Sequence, residues 1–187
     1  MIKATYHTKE TAPAGSHPAL EASEGKFGKV LNLYAVLAES PAAANGYVAL
    51  SNLYDQHATM TPGERQIALL TISTVNGCTY CVPAHSGGAK KAGVSPDVID
   101  AVRDGTPVPD AKMAALHAFS KALVEKRGFV SDEEVGAFKA AGFSEGDILD
   151  VIVAAAIKTL SNYAHAVFDF ELDDMMKPLA WDGLKSV

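Results

Sequence analysis

Cysteine is almost absent from this chain: there are two in 187 residues, Cys78 and Cys81. That scarcity excludes a disulfide-stapled scaffold, and the lack of a second spaced pair argues against a structural zinc site. Also missing is any block of consecutive basic residues, and the formal net charge is −6. Nucleic acid and anionic membrane are therefore not expected partners. The opening stretch MIKATYHTKETAPAG has no apolar signal core, and no apolar run looks long enough to span a bilayer. A cytoplasmic, reducing setting is the expectation. Runs that alternate apolar with polar residues, the mark of a sheet, are missing too.

What is present is capped helix. With 48% hydrophobic and 20% charged residues the chain fits a globular enzyme, expected as one domain over residues 1–187. Residues 1–18 suggest an irregular arm. From Ala19 to about Glu39, Phe27, Val30, Leu31 and Tyr34 recur at helical spacing. Ser40-Pro41 begins a helix to about Gln56. Thr61-Pro62-Gly63-Glu64 is a capping box with proline at the first helical position. Asn76-Gly77 punctuates the helix it opens, and a further helix should begin near Cys78 and close at Gly93. Ser95-Pro96, Asp110, Ser131-x-x-Glu134 and Ser144-x-x-Asp147 start four more, the last running to about Leu172. Its centre, VIVAAAIKTL, is nearly all apolar, as expected of an element surrounded by others. The fold class is all-α.

The stretch that carries chemistry is Asn76 to Gly93. If it is helical, Cys78, Cys81 and His85 fall within about 60° of one another, which puts two thiols and an imidazole on one face. A helix beginning near Cys78 also directs free N–H groups and its positive dipole end at the sulfurs, favouring the thiolate. Two small buried hydrophobes would be the plain alternative, but a rare residue paired at redox spacing favours redox chemistry. His85 is in register to act as a general base. Zinc held by Cys78, Cys81, His85 and a fourth ligand such as His165 or His57 is the lesser reading.

The segment ERQIALLTISTVNGCTYCVPAHSGGAKKAG resembles the signature of the carboxymuconolactone decarboxylase-like, alkylhydroperoxidase D-like superfamily. KTLSNYAHAVFDFELDD is similar to the C-terminal stretch of its peroxidase-related branch. The resemblance implies an all-α fold assembled as a homo-oligomer, trimer or hexamer, and a thiol-dependent peroxidase or disulfide reductase. In that scheme Cys81 attacks a small hydroperoxide, Cys78 resolves the sulfenic acid, and His85 belongs to a proton relay. Helix-dipole reasoning alone favours Cys78 as attacker; the resemblance and the four-residue step to His85 favour Cys81, which is preferred here. An external dithiol reductant is implied, with no bound cofactor and no metal. Gln66 stands where the family's relay has a glutamate, and a glutamine orients an imidazole without accepting its proton.

Other candidates have competing explanations. Glu64 is a catalytic candidate, although its capping box already accounts for it. His165 shares a helix face with Lys158, Asn162 and Asp169, a polar stripe that faces either the site, a subunit contact or solvent. Tyr80 is expected to pack on another face, and Asp173-Asp174 to form a solvated helix end. Two alternatives remain at the level of sequence: a carboxymuconolactone-type decarboxylase, and a non-catalytic redox-sensing oligomeric module.

Overall fold

The structure is a computed structural model that describes residues 2–184. Among these, nine α-helices follow one another: α1 (His17–Phe27), α2 (Asn32–Leu37), α3 (Pro41–His57), α4 (Pro62–Val75), α5 (Cys81–Lys91), α6 (Pro96–Asp104), α7 (Ala111–Glu125), α8 (Asp132–Ala140) and α9 (Glu145–Phe168). No strand occurs among the described residues. The all-α expectation holds.

Helix α4 is the hub. Its residues from Ile67 to Thr74 are all buried, and it packs against α5, α6, α7 and α9. A central position requires its polar groups to be satisfied internally. Ser73 and Thr74 meet this by donating their hydroxyls to Leu69 O and Leu70 O. The start of the helix is fixed by the complete capping box of Thr61 and Glu64, with Pro62 in its first turn. Equivalent boxes, Ser131 with Glu134 and Ser144 with Asp147, open α8 and α9. A stack of Phe119, Phe138 and Phe143, with successive centroids 4.3 Å apart, joins α7 and α8 to the loop before α9.

Four boundaries differ from the sequence expectation. The region 19–39 is two helices, because Gly28 takes the left-handed conformation at φ 74° and ends α1. Ser23 then stitches the break, donating to Lys29 O and accepting from Leu31 N. Helix α1 starts at His17, inside the expected arm, and the rest of that arm is pinned by Ile2 N to Val167 O at 2.8 Å. Helix α9 stops at Phe168, where Asp169 adopts a left-handed cap at φ 44°. Helix α5 begins at Cys81, so Cys78 lies three residues ahead of it.

Helix α9 is also more apolar than the sequence suggested. Over an 18-residue window its mean hydropathy reaches 1.3, enough by length and composition to cross a membrane, which corrects the expectation that no run was long enough. Its buried face nonetheless carries Lys158, Ser161, Asn162 and His165, and it packs on α3 and α4. One face therefore belongs to the core, while Leu149 and Ile152 on the other are exposed, so the expectation of a helix surrounded by others is not met within one chain.

Candidate active site

The Asn-Gly pair after α4 sets the position of the first cysteine. Gly77 is left-handed at φ 65°, its N–H returns to Thr74 O, and the N–H of Cys78 returns to Ser73 O. These two bonds form a Schellman closure, which turns the chain sharply off the buried end of α4. Thr79 and Tyr80 complete the turn, and Cys81 is the first residue of α5. The two sulfurs meet because the chain turns here, not because they share a helix face. The N–H of Cys81 donates to Cys78 Sγ at 3.2 Å. Both cysteines are free and buried, at 3% and 2% exposure.

Helix α9 supplies the opposite wall. Ser161 Oγ lies 3.9 Å from Cys81 Sγ, and the Ser161 hydroxyl donates to Ile157 O. Lys158 is 1% exposed, and its Nζ donates to His85 Nε2 at 2.8 Å. On the other side of the ring, His85 Nδ1 is 3.0 Å from Gln66 Oε1. An ammonium can only donate, so Nε2 accepts and the ring proton sits on Nδ1, directed at the Gln66 carbonyl. Gln66, His85 and Lys158 therefore form one chain of directed bonds from α4 through α5 to α9. Among the hydrogen bonds of the described residues His85 makes none to either sulfur; its ring nitrogens meet Gln66 and Lys158.

The electrostatics follow from this arrangement. Burial alone would raise the Cys81 thiol. It is outweighed by a hydrogen bond from Cys78, then the charge of Lys158 and the polar Ser161 hydroxyl beside the sulfur, so Cys81 lies below the ordinary thiol range. Cys78 is pushed up, first by its hydrogen bond to Cys81, then by burial. The N–H of Cys81 on its sulfur works the other way but is the smaller effect. Within the pair the negative charge is favoured on Cys81, through the Cys78 hydrogen bond first and the Lys158 charge second. His85 is held well below its usual value by burial and then by Lys158, and is neutral.

The remaining candidates separate. His165 Nε2 is 3.1 Å from Thr79 Oγ1, and its ring packs on Tyr80 and Phe170. It thus borders the turn between the cysteines, while its Nδ1 is buried without a protein partner. Burial lowers its pKa, against the opposing charges of Cys81 and Asp169. A cleft of about 290 Å³ opens here, lined by Thr79, Tyr80, His165, Asp169, Phe170 and Leu172 among others. Glu64 is outside the cluster: one oxygen accepts from Thr61 N at 2.7 Å and the other pairs with Lys112 at 2.6 Å. The cap and the cation on α7 hold it there. His117 bonds Thr71 Oγ1 at 3.0 Å, away from the sulfurs.

Two further expectations are corrected. Asp173 is buried, not solvated: it accepts from Tyr80 Oη at 2.6 Å and from Asn32 N at 3.1 Å, and pairs with Lys29 at 3.4 Å. Tyr80 is accordingly a polar tie as well as a packing group. Among the described residues no three His, Cys, Asp or Glu side chains are grouped to hold a metal ion. Sequence reasoning noticed Lys158 only as part of a stripe and missed Ser161. A lone lysine inside VIVAAAIKTL was the available signal.

Two free, adjacent cysteines on an all-α scaffold, one pushed below and one above the ordinary thiol range, are a site fit for thiol chemistry. The carboxymuconolactone decarboxylase family model matches residues 27–123, just over half of the chain, and the chain belongs to that family. No curated protein matches it. Among solved structures, a peroxidase-related protein with an alkylhydroperoxidase AhpD core from Ralstonia eutropha JMP134 superposes with a TM-score of 0.81 at 23% identity, covering 96% of each chain. A variant of the debrominase Bmp8 in complex with 2,3,4-tribromopyrrole gives 0.76 at 18% identity, covering 93% of each chain. A peroxidase-related protein from Silicibacter sp. TM1040 gives 0.73 at 19% identity, covering 92% of this chain and 89% of that one. At these identities the likeness shows the fold, which is AhpD-like.

Proposed function

We propose that this chain is a thiol-dependent hydroperoxide reductase working through Cys81 and Cys78. The observation that carries the reading is the meeting of two free, buried cysteines at the turn into α5, with the Cys81 N–H on Cys78 Sγ at 3.2 Å, in surroundings that push Cys81 down and Cys78 up. The thiolate is the nucleophile and the neighbouring thiol is the stored proton. The Cys81 thiolate attacks the terminal oxygen of ROOH, the O–O bond breaks, and Cys81 becomes a sulfenic acid as RO⁻ leaves and is protonated. The Cys78 thiol then attacks that sulfur, forming the disulfide and releasing water. An external dithiol restores the pair by exchange. The chemistry needs no bound cofactor.

In this reading His85 and Gln66 are positioning residues, and His165 with Thr79 borders the approach to the buried sulfurs. Glu64 serves the fold. Free thiols and a net charge of −6 fit a cytoplasmic protein without nucleic-acid or membrane partners. A homo-oligomer is part of the proposal. Leu149, Ile152, Tyr163 and Val167 of α9 are exposed, and only 33% of its most apolar window is buried. Such a face on a single chain calls for a second copy. Light scattering that finds only the 19.6 kDa monomer would remove that part.

The test is hydroperoxide consumption with dithiothreitol as reductant, comparing wild type with Cys81→Ser and Cys78→Ser. Turnover that is lost in both variants supports the reading. Wild-type protein no faster than dithiothreitol alone would end it.

A further inference from the structure

Lys158 sits at 1% exposure in the middle of an apolar helix, an arrangement that needs a compensating anion. The ion pairs among the described residues show none on a carboxylate for it. The acidic groups of this half of the fold are engaged elsewhere: Glu64 with Lys112, Asp55 with Lys26, Asp173 with Lys29. What faces the cluster from each packed element is otherwise neutral. Helix α4 contributes the Gln66 amide, α5 the His85 imidazole, α3 the buried Tyr47 phenol, and α9 itself the Ser161 hydroxyl. Lys26 from α1 is the other cation that acts on His85, and Asp55 holds it at 2.7 Å. The anion open to Lys158 is the sulfur of Cys81, which meets Ser161, one turn along the same buried face of α9, at 3.9 Å and whose thiol the Lys158 charge lowers.

We propose that Lys158 is a catalytic residue, the fixed counter-cation of the Cys81 thiolate and the acid that protonates the departing oxygen. The inference rests on the peroxidase reading and replaces a carboxylate–histidine relay with a lysine held in place by His85. Nε2 of the ring takes one Nζ–H, which fixes the ammonium and leaves two further N–H groups to donate. In the first step the thiolate sulfur bonds to the terminal peroxide oxygen, the O–O electrons leave with RO⁻, and Lys158 gives it a proton. ROH departs and Lys158 is a neutral amine beside the sulfenic acid. Cys78–SH and Cys81–SOH then yield the disulfide and water, with no net proton from Lys158. Reduction by an external dithiol delivers two protons, one to Cys78 and one back to Lys158, and regenerates the Cys81 thiolate. Gln66 suits this scheme better than a glutamate, since a carboxylate on Nδ1 would draw a proton onto His85 and compete with Lys158 for it.

The test separates charge from proton donation. In a Cys78→Ser background, which leaves Cys81 as the single thiol, the pH dependence of iodoacetamide alkylation reports the Cys81 thiolate. The parent should titrate below the ordinary thiol value, and Lys158→Met should titrate at or above it. At pH 7 that is a loss of thiolate of at least about 30-fold, taking about 8.5 for an ordinary thiol. In the otherwise wild-type chain, Lys158→Arg keeps a cation that does not release its proton. It should alkylate at low pH yet consume hydroperoxide at least about 10-fold more slowly, the rate equivalent of 1.36 kcal/mol. Lys158→Met with native circular dichroism and an unmoved alkylation midpoint overturns the counter-cation. If Lys158→Met does not fold, Lys158→Arg decides alone, and an alkylation midpoint in the ordinary thiol range overturns it. Lys158→Arg with wild-type turnover overturns the proton donor. A wild-type chain that alkylates at low pH but ignores hydroperoxide defeats the peroxidase reading instead and leaves the lysine–thiolate pair standing.

Discussion

Gly88→Ala should disable the site while leaving the fold nearly intact. Gly88 lies within α5, one turn beyond His85, and needs no unusual backbone conformation. Its role is space: a Cβ there would stand 2.8 Å from Gln66 Cδ and closer still to Oε1. The amide must swing away and release His85 Nδ1. Helix propensity favours alanine over glycine by about 1 kcal/mol. Stranding a buried N–H costs about 1–3 kcal/mol. The net change in stability is about 0–2 kcal/mol, or a melting point lower by at most about 8 °C for a chain of this size. The consequence for the ring is larger. Without the Gln66 carbonyl the proton can move to Nε2 and point at Lys158, turning an attraction into a repulsion. The alkylation midpoint of Cys81 should then rise and hydroperoxide turnover should fall by about 10-fold per 1.36 kcal/mol lost. Nitrogen-15 spectra of histidine-labelled protein distinguish the two ring tautomers. A Gly88→Ala protein that keeps the Nδ1–H tautomer and wild-type turnover would refute the reasoning.

Other parts of the structure are equally open to test. Phe138, at 1% exposure between two rings, should lose about 3–5 kcal/mol as Phe138→Ala, lowering the melting point by about 6–20 °C; a change below about 1 kcal/mol would contradict the stacking account. Tyr80→Phe removes the 2.6 Å bond to buried Asp173, costing about 1–3 kcal/mol, and should speed amide exchange around residues 171–176; unchanged exchange there would show that the tie is not needed. Burial alone would raise the Glu64 carboxyl, but the Lys112 ion pair and the Thr61 donors outweigh it and hold it below its ordinary value. That stabilisation is present above the unfolded value of about 4.3 and is lost as pH falls through the lower folded value. Glu64→Gln should therefore flatten stability against pH below about pH 4, and an unchanged acid limb would show that the carboxylate contributes nothing.

Much of this was legible in the sequence because it is local. The boxes at Thr61, Ser131 and Ser144 span three residues each, and their donors and acceptors are fixed by the first turn they begin. Cys78, Cys81 and His85 could be grouped for the same reason, whereas Gln66 joined them only through the family resemblance. The shape of the Cys-x-x-Cys turn could not. A helical wheel put both sulfurs on one helix, whereas the closure at Gly77 places Cys78 before α5 and lets the Cys81 N–H reach it. Gly28 was a similar case: glycine signals that a left-handed residue is permitted, and only packing decides whether it is used. The bonds from Tyr80 to Asp173 and from Lys158 to His85 join residues 93 and 73 positions apart, beyond any periodic pattern. An acidic pair after a helix looks solvated until its partner folds over it. A lysine in an alanine-rich run looks like an interruption until an imidazole is found within 2.8 Å.

The most direct test of the dithiol chemistry is thiol counting with intact mass analysis, before and after one equivalent of an organic hydroperoxide, on wild type, Cys78→Ser and Cys81→Ser. The account predicts loss of both thiols in wild type with a mass lower by two hydrogens. It predicts a trapped sulfenic acid in Cys78→Ser and none in Cys81→Ser. Thiols that stay reduced at micromolar hydroperoxide, or a sulfenic acid that forms on Cys78 in the Cys81→Ser protein, would contradict it.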